Sequence, residues 1–245
     1  PILLGLLRLT SSLPLNLGNY TWQISSSKAS SQTSFNLGIF HEFGFNQHEA
    51  RGAMTRAVTQ DPTCAMCFWG LSYSFGPFLN HPVMVDQDQL DTTYHAIRTA
   101  ATLAVTNVEK DLIRATAFRY PDTDLKRNQT LAYLAYSNEL SVLYTKYPQD
   151  PNIAVLYAES LMNLEANNYF LHETMGPDAS TSVVPSGLRP YSKKANQVLT
   201  TMLSSPNRKF SRHPFALHLY IHLTEAGIPG LKDGAMVGEH AADIL

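Results

Sequence analysis

Two histidines near the end of the chain have the spacing of a metal-binding pair. His218 and His222 lie four residues apart, so on a helix their rings share one face and could hold one divalent ion. Glu225 lies near the same stripe, and His213 reaches it only if the preceding chain folds back. A metalloprotease helix needs Glu directly after the first His, and Leu219 stands there instead. The alternative is a packed aromatic layer in which both rings are hydrogen-bonded to neighbouring carbonyls or carboxylates.

The cysteines form a second candidate site. Cys64 and Cys67 make a C-x-x-C at a predicted helix start, where the helix dipole lowers the pKa of a thiol. Thioredoxin-like proteins use this geometry after a strand, which is not predicted here, and a single pair is not a structural zinc site. Two small buried residues or a local disulfide are the alternatives. No glycine-rich phosphate loop and no nucleophile elbow occur, so the sequence leaves enzyme activity undecided and favours a non-enzyme.

The bulk composition is that of a foldable, nearly neutral chain. Its 245 residues are 44% hydrophobic with a net charge of -2, which gives no electrostatic case for binding nucleic acid or an anionic membrane. No apolar run approaches the ~20 residues that span a bilayer. Glycosylation sequons begin at Asn19 and Asn128, and we weakly favour a secreted protein over a cytoplasmic one.

Residues 1–33 are predicted to be an irregular arm. The chain begins at Pro1 rather than Met, and we expect it to be a piece of a longer protein, incomplete at its C-terminus. The apolar run Ile2–Leu9 is open to three interpretations: a relic of a signal peptide, an arm that packs on a neighbouring molecule, or a segment that packs on the first helices. We favour the last.

Helical periodicity covers most of the remaining chain, residues 34–245. In the stretch from Leu37 to Pro62, Gly38 and Ala50 are small where two antiparallel helices would approach closely, and Asn46 is a plausible cap between them. Further helices are predicted at 64–77, 87–105, 107–119, 124–147, 151–164, 188–204, 214–226 and from 231 onward. Residues 165–187 show no period and are predicted to be a long loop, with no sheet anywhere in the chain.

The helix starts carry their own signals. Thr106 and Glu109 have the form of a capping box, and Asp86 opens the helix at 87–105. Pro151 follows Asp150 at the first turn of its helix, and Pro190 is placed in the same way.

The stretch from Leu37 to Pro62 resembles one tetratricopeptide repeat, a helix–turn–helix unit of ~34 residues. The resemblance is carried by the Leu37-Gly38 pair and by Ala50, Met54, Ala57 and Pro62. One such unit cannot bury its own apolar face. The resemblance therefore implies an all-α fold, a right-handed α-solenoid of about five antiparallel helix pairs forming a tetratricopeptide-like superhelix.

Three further blocks are similar to large, mostly uncharacterised tetratricopeptide-repeat proteins of bacteria and algae. They are DPTCAMCFWGLSYSFGPFLNHPV, YPQDPNIAVLYAESLMNL and HPFALHLYIHLTEAG. The resemblance implies that the first helix of each pair lines a concave groove. It adds Glu159, Asn163 and Asn80 as candidate site residues, with Glu159 facing the same groove as the histidines.

Two functions remain open. The favoured one is an interaction or structural scaffold that holds a protein or peptide in its concave groove, or copies of itself. Because uncapped solenoid ends are adhesive, head-to-tail filaments are one expected outcome. The alternative is a metal-binding protein or metal-dependent enzyme centred on His218 and His222, with Glu159 and His213 as partners of a divalent ion.

Overall fold

A computed structural model describes residues 20–175 and 182–225, and within these ranges the chain is mainly helical. The predictions for residues 1–19 and for a helix from 231 onward lie outside the described residues. The elements are α1 (Ala29–Phe43), α2 (Gln47–Gln60), α3 (Ala65–Phe75), α4 (Gln87–Leu103), α5 (Asn107–Arg119), α6 (Gln129–Lys146), α7 (Pro151–Asn163), β1 (Phe170–Met175), β2 (Ser182–Leu188), α8 (Pro190–Leu203), α9 (Arg208–Ser211) and α10 (Pro214–Thr224).

Five of the ten described helices begin at a residue whose side chain accepts a capping hydrogen bond. The capping box is confirmed, because the Thr106 side chain accepts from the Glu109 amide and the Glu109 carboxylate accepts from the Thr106 amide. Asp86 and Asp150 accept hydrogen bonds from the free amides that open α4 and α7. Asn46 occupies the N-cap position of α2, but its side chain makes no capping hydrogen bond.

Two helices begin at residues other than those predicted from the sequence. Helix α1 begins at Ala29 rather than at 34, so the segment taken as an irregular arm ends earlier. Helix α6 begins at Gln129 rather than at 124. The interruption after α3 is confirmed as non-helical, and the Gln129 side chain holds it by bonding both the amide and the carbonyl of Met84 at 2.8 Å.

Consecutive helices pack as pairs, which confirms the all-α class. Contacts join α1 to α2, α3 to α4, α5 to α6 and α7 to α8, and neighbouring pairs also touch. At the first crossing a Cβ on Gly38 would lie only 2.7 Å from Cε of Met54, so the close approach predicted there is confirmed. The right-handed superhelical sense and the membership of the tetratricopeptide family stay predictions.

The first helices of the pairs meet on an inner side. Helix α3 contacts α1 and α5, and α10 contacts both α7 and α1, so the end of the described chain returns to its beginning. Phe43 at the end of α1 stacks on Phe215 of α10, with ring centroids 4.5 Å apart. The inner side is therefore a packed core with polar side chains inside it, rather than an open concave face.

The prediction of no sheet is wrong. Strands β1 and β2 pair antiparallel within the segment predicted to be a loop, from Phe170 opposite Leu188 to Met175 opposite Ser182. The two strands satisfy each other's backbone groups, which an unstructured loop of that length would leave to solvent. The register shifts between Leu171 and His172, and such an irregularity interrupts the alternation by which a strand is recognised in sequence.

Candidate functional site

The two histidines of α10 face each other. Nε2 of His218 lies 3.2 Å from Nε2 of His222, as expected for side chains one helical turn apart. Nδ1 of His218 donates to the carbonyl oxygen of Phe43 at 2.6 Å, so the ring is oriented by the end of α1. Nδ1 of His222 lies 3.6 Å from Oε1 of Glu225. Burial lowers the pKa of His218, which favours the neutral ring.

The turn between α1 and α2 supplies an aromatic wall for this histidine pair. The Phe45 ring centroid lies 4.4 Å from that of His218 and 5.6 Å from that of His222. Phe45 has a φ of 57°, which is unusual for a bulky residue. Such backbone strain persists only where the surroundings fix it and is common at functional sites.

The other predicted metal ligands lie elsewhere. His213 is buried, and its Nε2 lies 3.2 Å from both the Asn152 side chain and the Tyr20 hydroxyl. Burial lowers the pKa of His213 to about 3, so its ring is neutral at physiological pH. Glu159 accepts hydrogen bonds from Tyr73 at 2.6 Å and from Asn163 at 3.2 Å. Within the described residues no group of three or more His, Cys, Asp or Glu side chains is placed to hold a metal ion. The four-residue ligand set is therefore not assembled.

Glu159 belongs instead to a buried polar cluster that the sequence analysis missed. Glu42 of α1 is 3% exposed and Arg119 of α5 is also 3% exposed, so two acids and one guanidinium lie inside the core. Burial, and then the charge of Glu159, raises the pKa of Glu42 to about 8. Burial also raises the pKa of Glu159. Because one guanidinium can neutralise only one carboxylate, Glu42 keeps its proton at neutral pH.

Aromatic rings enclose this cluster. The Arg119 guanidinium lies 5.3 Å from the ring centroid of Tyr133 and 5.4 Å from that of Tyr136, and it donates to the carbonyl of Pro77. The sequence held one usable signal, since Glu42 follows the buried Phe35 and Ile39 on one helical stripe. A charged residue on an apolar stripe indicates a buried polar site.

The remaining candidates have simple structural settings. Cys64 and Cys67 are joined in a disulfide, the local-disulfide alternative, so no thiol is free at the start of α3. Asn128 is exposed at the N-cap of α6, and Asn80 is exposed in the interruption after α3. Asn163 contributes only its bond to Glu159. Asn19 lies outside the described residues.

A short stretch before α1, residues 20–25, crosses the inner side of the helices. Trp22 and Ile24 are buried while Thr21 and Gln23 are exposed, an alternation typical of an extended backbone. The Trp22 ring packs edge-on against Trp69 of α3, with centroids 5.2 Å apart. We call residues 20–25 the inner segment.

Side chains of the helices hold the backbone of the inner segment. The Trp22 amide donates to Asn36 at 3.2 Å, and Gln32 donates to the Trp22 carbonyl at 2.9 Å. Gln32 also accepts from the Ile24 amide at 3.0 Å, and Glu109 of α5 accepts from the Ser25 amide at 2.8 Å. These bonds involve backbone groups, so they recognise an extended chain of almost any sequence, while the buried rings and side chains supply selectivity.

An open groove of about 1330 Å³ lies along the inner segment. The segment forms one wall, and residues 146–153 together with Arg208, Lys209 and residues 212–214 line the groove as well. One side of the inner segment is thus accessible without separating any helix pair.

No described helix combines the length and the apolar character needed to cross a membrane. Comparisons with protein-family models, with curated proteins and with solved structures found no match to this chain.

Proposed function

We propose that this protein is a helical scaffold that holds extended polypeptide on its inner side and assembles by exchanging that polypeptide between copies. The inner segment is the observation that supports this function. The helices already bind six residues of their own chain as an extended peptide, through backbone hydrogen bonds and buried side chains.

The inner segment is joined to the helices by a short connection that would act as the hinge of an exchange. Ser26 and Ser27 connect it to α1, and both donate to the carboxylate of Asp61 at the end of α2, at 2.8–3.0 Å. The contacts that bind the inner segment would be the same in a neighbouring copy, so exchange loses no interaction. Swapping an identical element is a low-cost route to oligomers.

Exchange of this kind would produce a head-to-tail assembly. A copy that places its inner segment in a neighbour leaves its own site available to a third copy. Because the donating and accepting surfaces differ, the contact is heterologous and extends into a filament unless a ring closes. The open groove beside the inner segment gives an incoming segment a path to its site.

The test is the oligomeric state of the full chain, measured by light scattering up to tens of micromolar. We expect self-association, and we expect Gln32→Glu to speed the exchange of fluorescently labelled copies between assemblies, because the new carboxylate removes the donor to the Trp22 carbonyl, repels that oxygen and so releases the inner segment faster. Thr33→Glu is the matched control, since Thr33 is exposed on the same helix and places the same charge away from the inner segment.

Two outcomes would contradict the proposal. A chain that stays monomeric at tens of micromolar does not exchange its inner segment. Equal rates of exchange of labelled copies in the wild type and in a folded Gln32→Glu variant would place the contact elsewhere.

A further inference from the structure

We propose that His218 and His222 bind one late first-row divalent metal ion, Cu²⁺ or Zn²⁺, through the Nε2 atom of each ring. This inference does not depend on the scaffold function. It rests on the spacing of the two nitrogens, on the partners of the opposite ring nitrogens and on the aromatic wall.

The spacing of the two nitrogens is that of two ligands on one ion. With Zn–N bonds of about 2.0–2.1 Å and a tetrahedral angle, ligating nitrogens lie roughly 3.3 Å apart. The two Nε2 atoms lie 3.2 Å apart without any rearrangement. An ion would therefore enter a pair of ligands that is already oriented.

The opposite ring nitrogens have the partners that metal-binding histidines use. A ligating imidazole usually donates its other N–H to a carbonyl or a carboxylate, which fixes the tautomer and the ring orientation. The Phe43 carbonyl can only accept, so His218 carries its proton on Nδ1 and presents the lone pair of Nε2. On His222 the corresponding partner is the Glu225 carboxylate, 3.6 Å from Nδ1.

A direct hydrogen bond between the two rings is the competing explanation, and it assigns the proton of His222 differently. If the rings bond each other, Nε2 of His222 carries the proton and donates to His218. If they bind metal, Nδ1 of His222 carries the proton and faces Glu225. The two explanations therefore predict opposite tautomers, and substitution of Glu225 separates them.

The ligand set selects the class of ion. Imidazole nitrogen favours copper, zinc and nickel over magnesium and calcium, which prefer oxygen, and Cu²⁺ is the strongest binder in the divalent series. Within the described residues no third His, Cys, Asp or Glu joins the pair. Among the described residues, the remaining positions on the ion are therefore left to solvent or to a small ligand. Phe45 and Phe215 pack beside the pair, with centroids 4.4 and 6.5 Å from that of His218.

The test is calorimetric titration of the chelator-treated full chain with ZnCl₂ and, separately, with CuCl₂. We expect one ion per chain, and for Cu²⁺ an electron paramagnetic resonance spectrum with splitting from two imidazole nitrogens. His222→Gln is the main variant, because His222 is partly exposed and its loss leaves the His218–Phe43 bond intact. We expect it to weaken binding at least tenfold, and MgCl₂ to give no comparable heat.

Two further variants make the result specific. His95→Gln is the matched control, since His95 is exposed on α4, and it should bind as the wild type does. Glu225→Gln should reduce affinity about 10–100-fold, as substitution of a partner that orients a ligating histidine does. If His218 and His222 only bond each other, Glu225 orients neither ring for a metal ion, and Glu225→Gln would bind Zn²⁺ and Cu²⁺ no differently from the wild type. The proposal is overturned if the folded His222→Gln variant binds Zn²⁺ and Cu²⁺ as tightly as the wild type, or if the wild type binds neither ion.

Discussion

Replacing the buried acid Glu42 with Gln should remove a loss of stability that we expect of the wild type in mild alkali. The Glu42 carboxyl accepts a 3.3 Å hydrogen bond from Gln47 at Oε1, and its Oε2 has no partner among the described residues. The charges that act on it come from Glu159 on α7, Arg119 on α5 and Arg51 on α2. Gln has the shape of the protonated acid and cannot ionise, so Glu42→Gln isolates the effect of the proton.

The direction of the change in stability follows from the pH at which Glu42 loses its proton in the folded and in the unfolded chain. The pKa of Glu42 rises from an ordinary 4.5 to about 8 on folding, so between these values the unfolded chain binds fewer protons than the folded chain. The free energy of unfolding therefore falls as pH rises through this window. The free energy of unfolding falls by about 1.36 kcal/mol for each pH unit over which the folded chain binds one more proton than the unfolded chain. Between pH 6 and pH 8 this removes about 2 kcal/mol. For a chain of this size that is a decrease of roughly 4–8 °C in Tm.

The assay is thermal or urea unfolding of the wild type and of Glu42→Gln at pH 6 and pH 8. Other groups titrate in this range, so the quantity of interest is the difference between the two proteins. We expect Glu42→Gln to gain about 2 kcal/mol relative to the wild type on going from pH 6 to pH 8. Glu49→Gln, at an exposed position on α2, should follow the wild type. If the wild type and Glu42→Gln lose stability in parallel, Glu42 is already ionised at pH 6 and the account of the cluster is wrong.

Two further predictions concern packing and the attachment of the inner segment. A Cβ on Gly70 would lie 2.5 Å from Sδ of Met54, so Gly70→Ala should destabilise the chain by about 1–3 kcal/mol in urea unfolding. In the Gly70→Ala background, Met54→Ala should cost less stability than it does in the wild type, because it removes the clash. If the stability losses of the two substitutions simply add, the contact between the two residues is refuted. Asp61→Asn weakens the charge-assisted bonds from Ser27 and Thr63 and should cost about 1–3 kcal/mol at pH 7. Because those bonds lower the pKa of Asp61, the stability cost of Asp61→Asn should shrink as the pH falls below the usual pKa of an Asp. A cost that does not change with pH would contradict this account of Asp61.

The sequence by itself determined the elements whose signals are local. The capping box at Thr106 and the prolines at the first turns of α7 and α8 each act within a few residues of their neighbours, and the glycine at the first helix crossing acts within a single helix–turn–helix unit. The spacing of His218 and His222 is local in the same sense, because one helical turn is enough to bring the two rings together.

Pairings between distant parts of the chain were decided only by the tertiary structure. The strands β1 and β2 stabilise each other across an irregular register, and neither strand alternates clearly enough to be recognised alone. The inner segment has a defined position because Gln32, Asn36 and Glu109 bond its backbone and because its apolar side chains are buried against the helices. Every residue carries the same backbone groups, so no sequence pattern predicts a hydrogen bond between a side chain and a distant backbone.

The polar sites show the same division. Sequence periodicity could place Glu42 and Arg119 each on an apolar stripe, but only the packing of α3 against α1 and α5, with Tyr73 of α3 bonded to Glu159, decides which charges share one core. It also decides that His213 and Glu159 lie apart from the pair on α10. A helix fixes the relation between residues one turn apart, whereas the distance between helices depends on how all the intervening side chains fill the core.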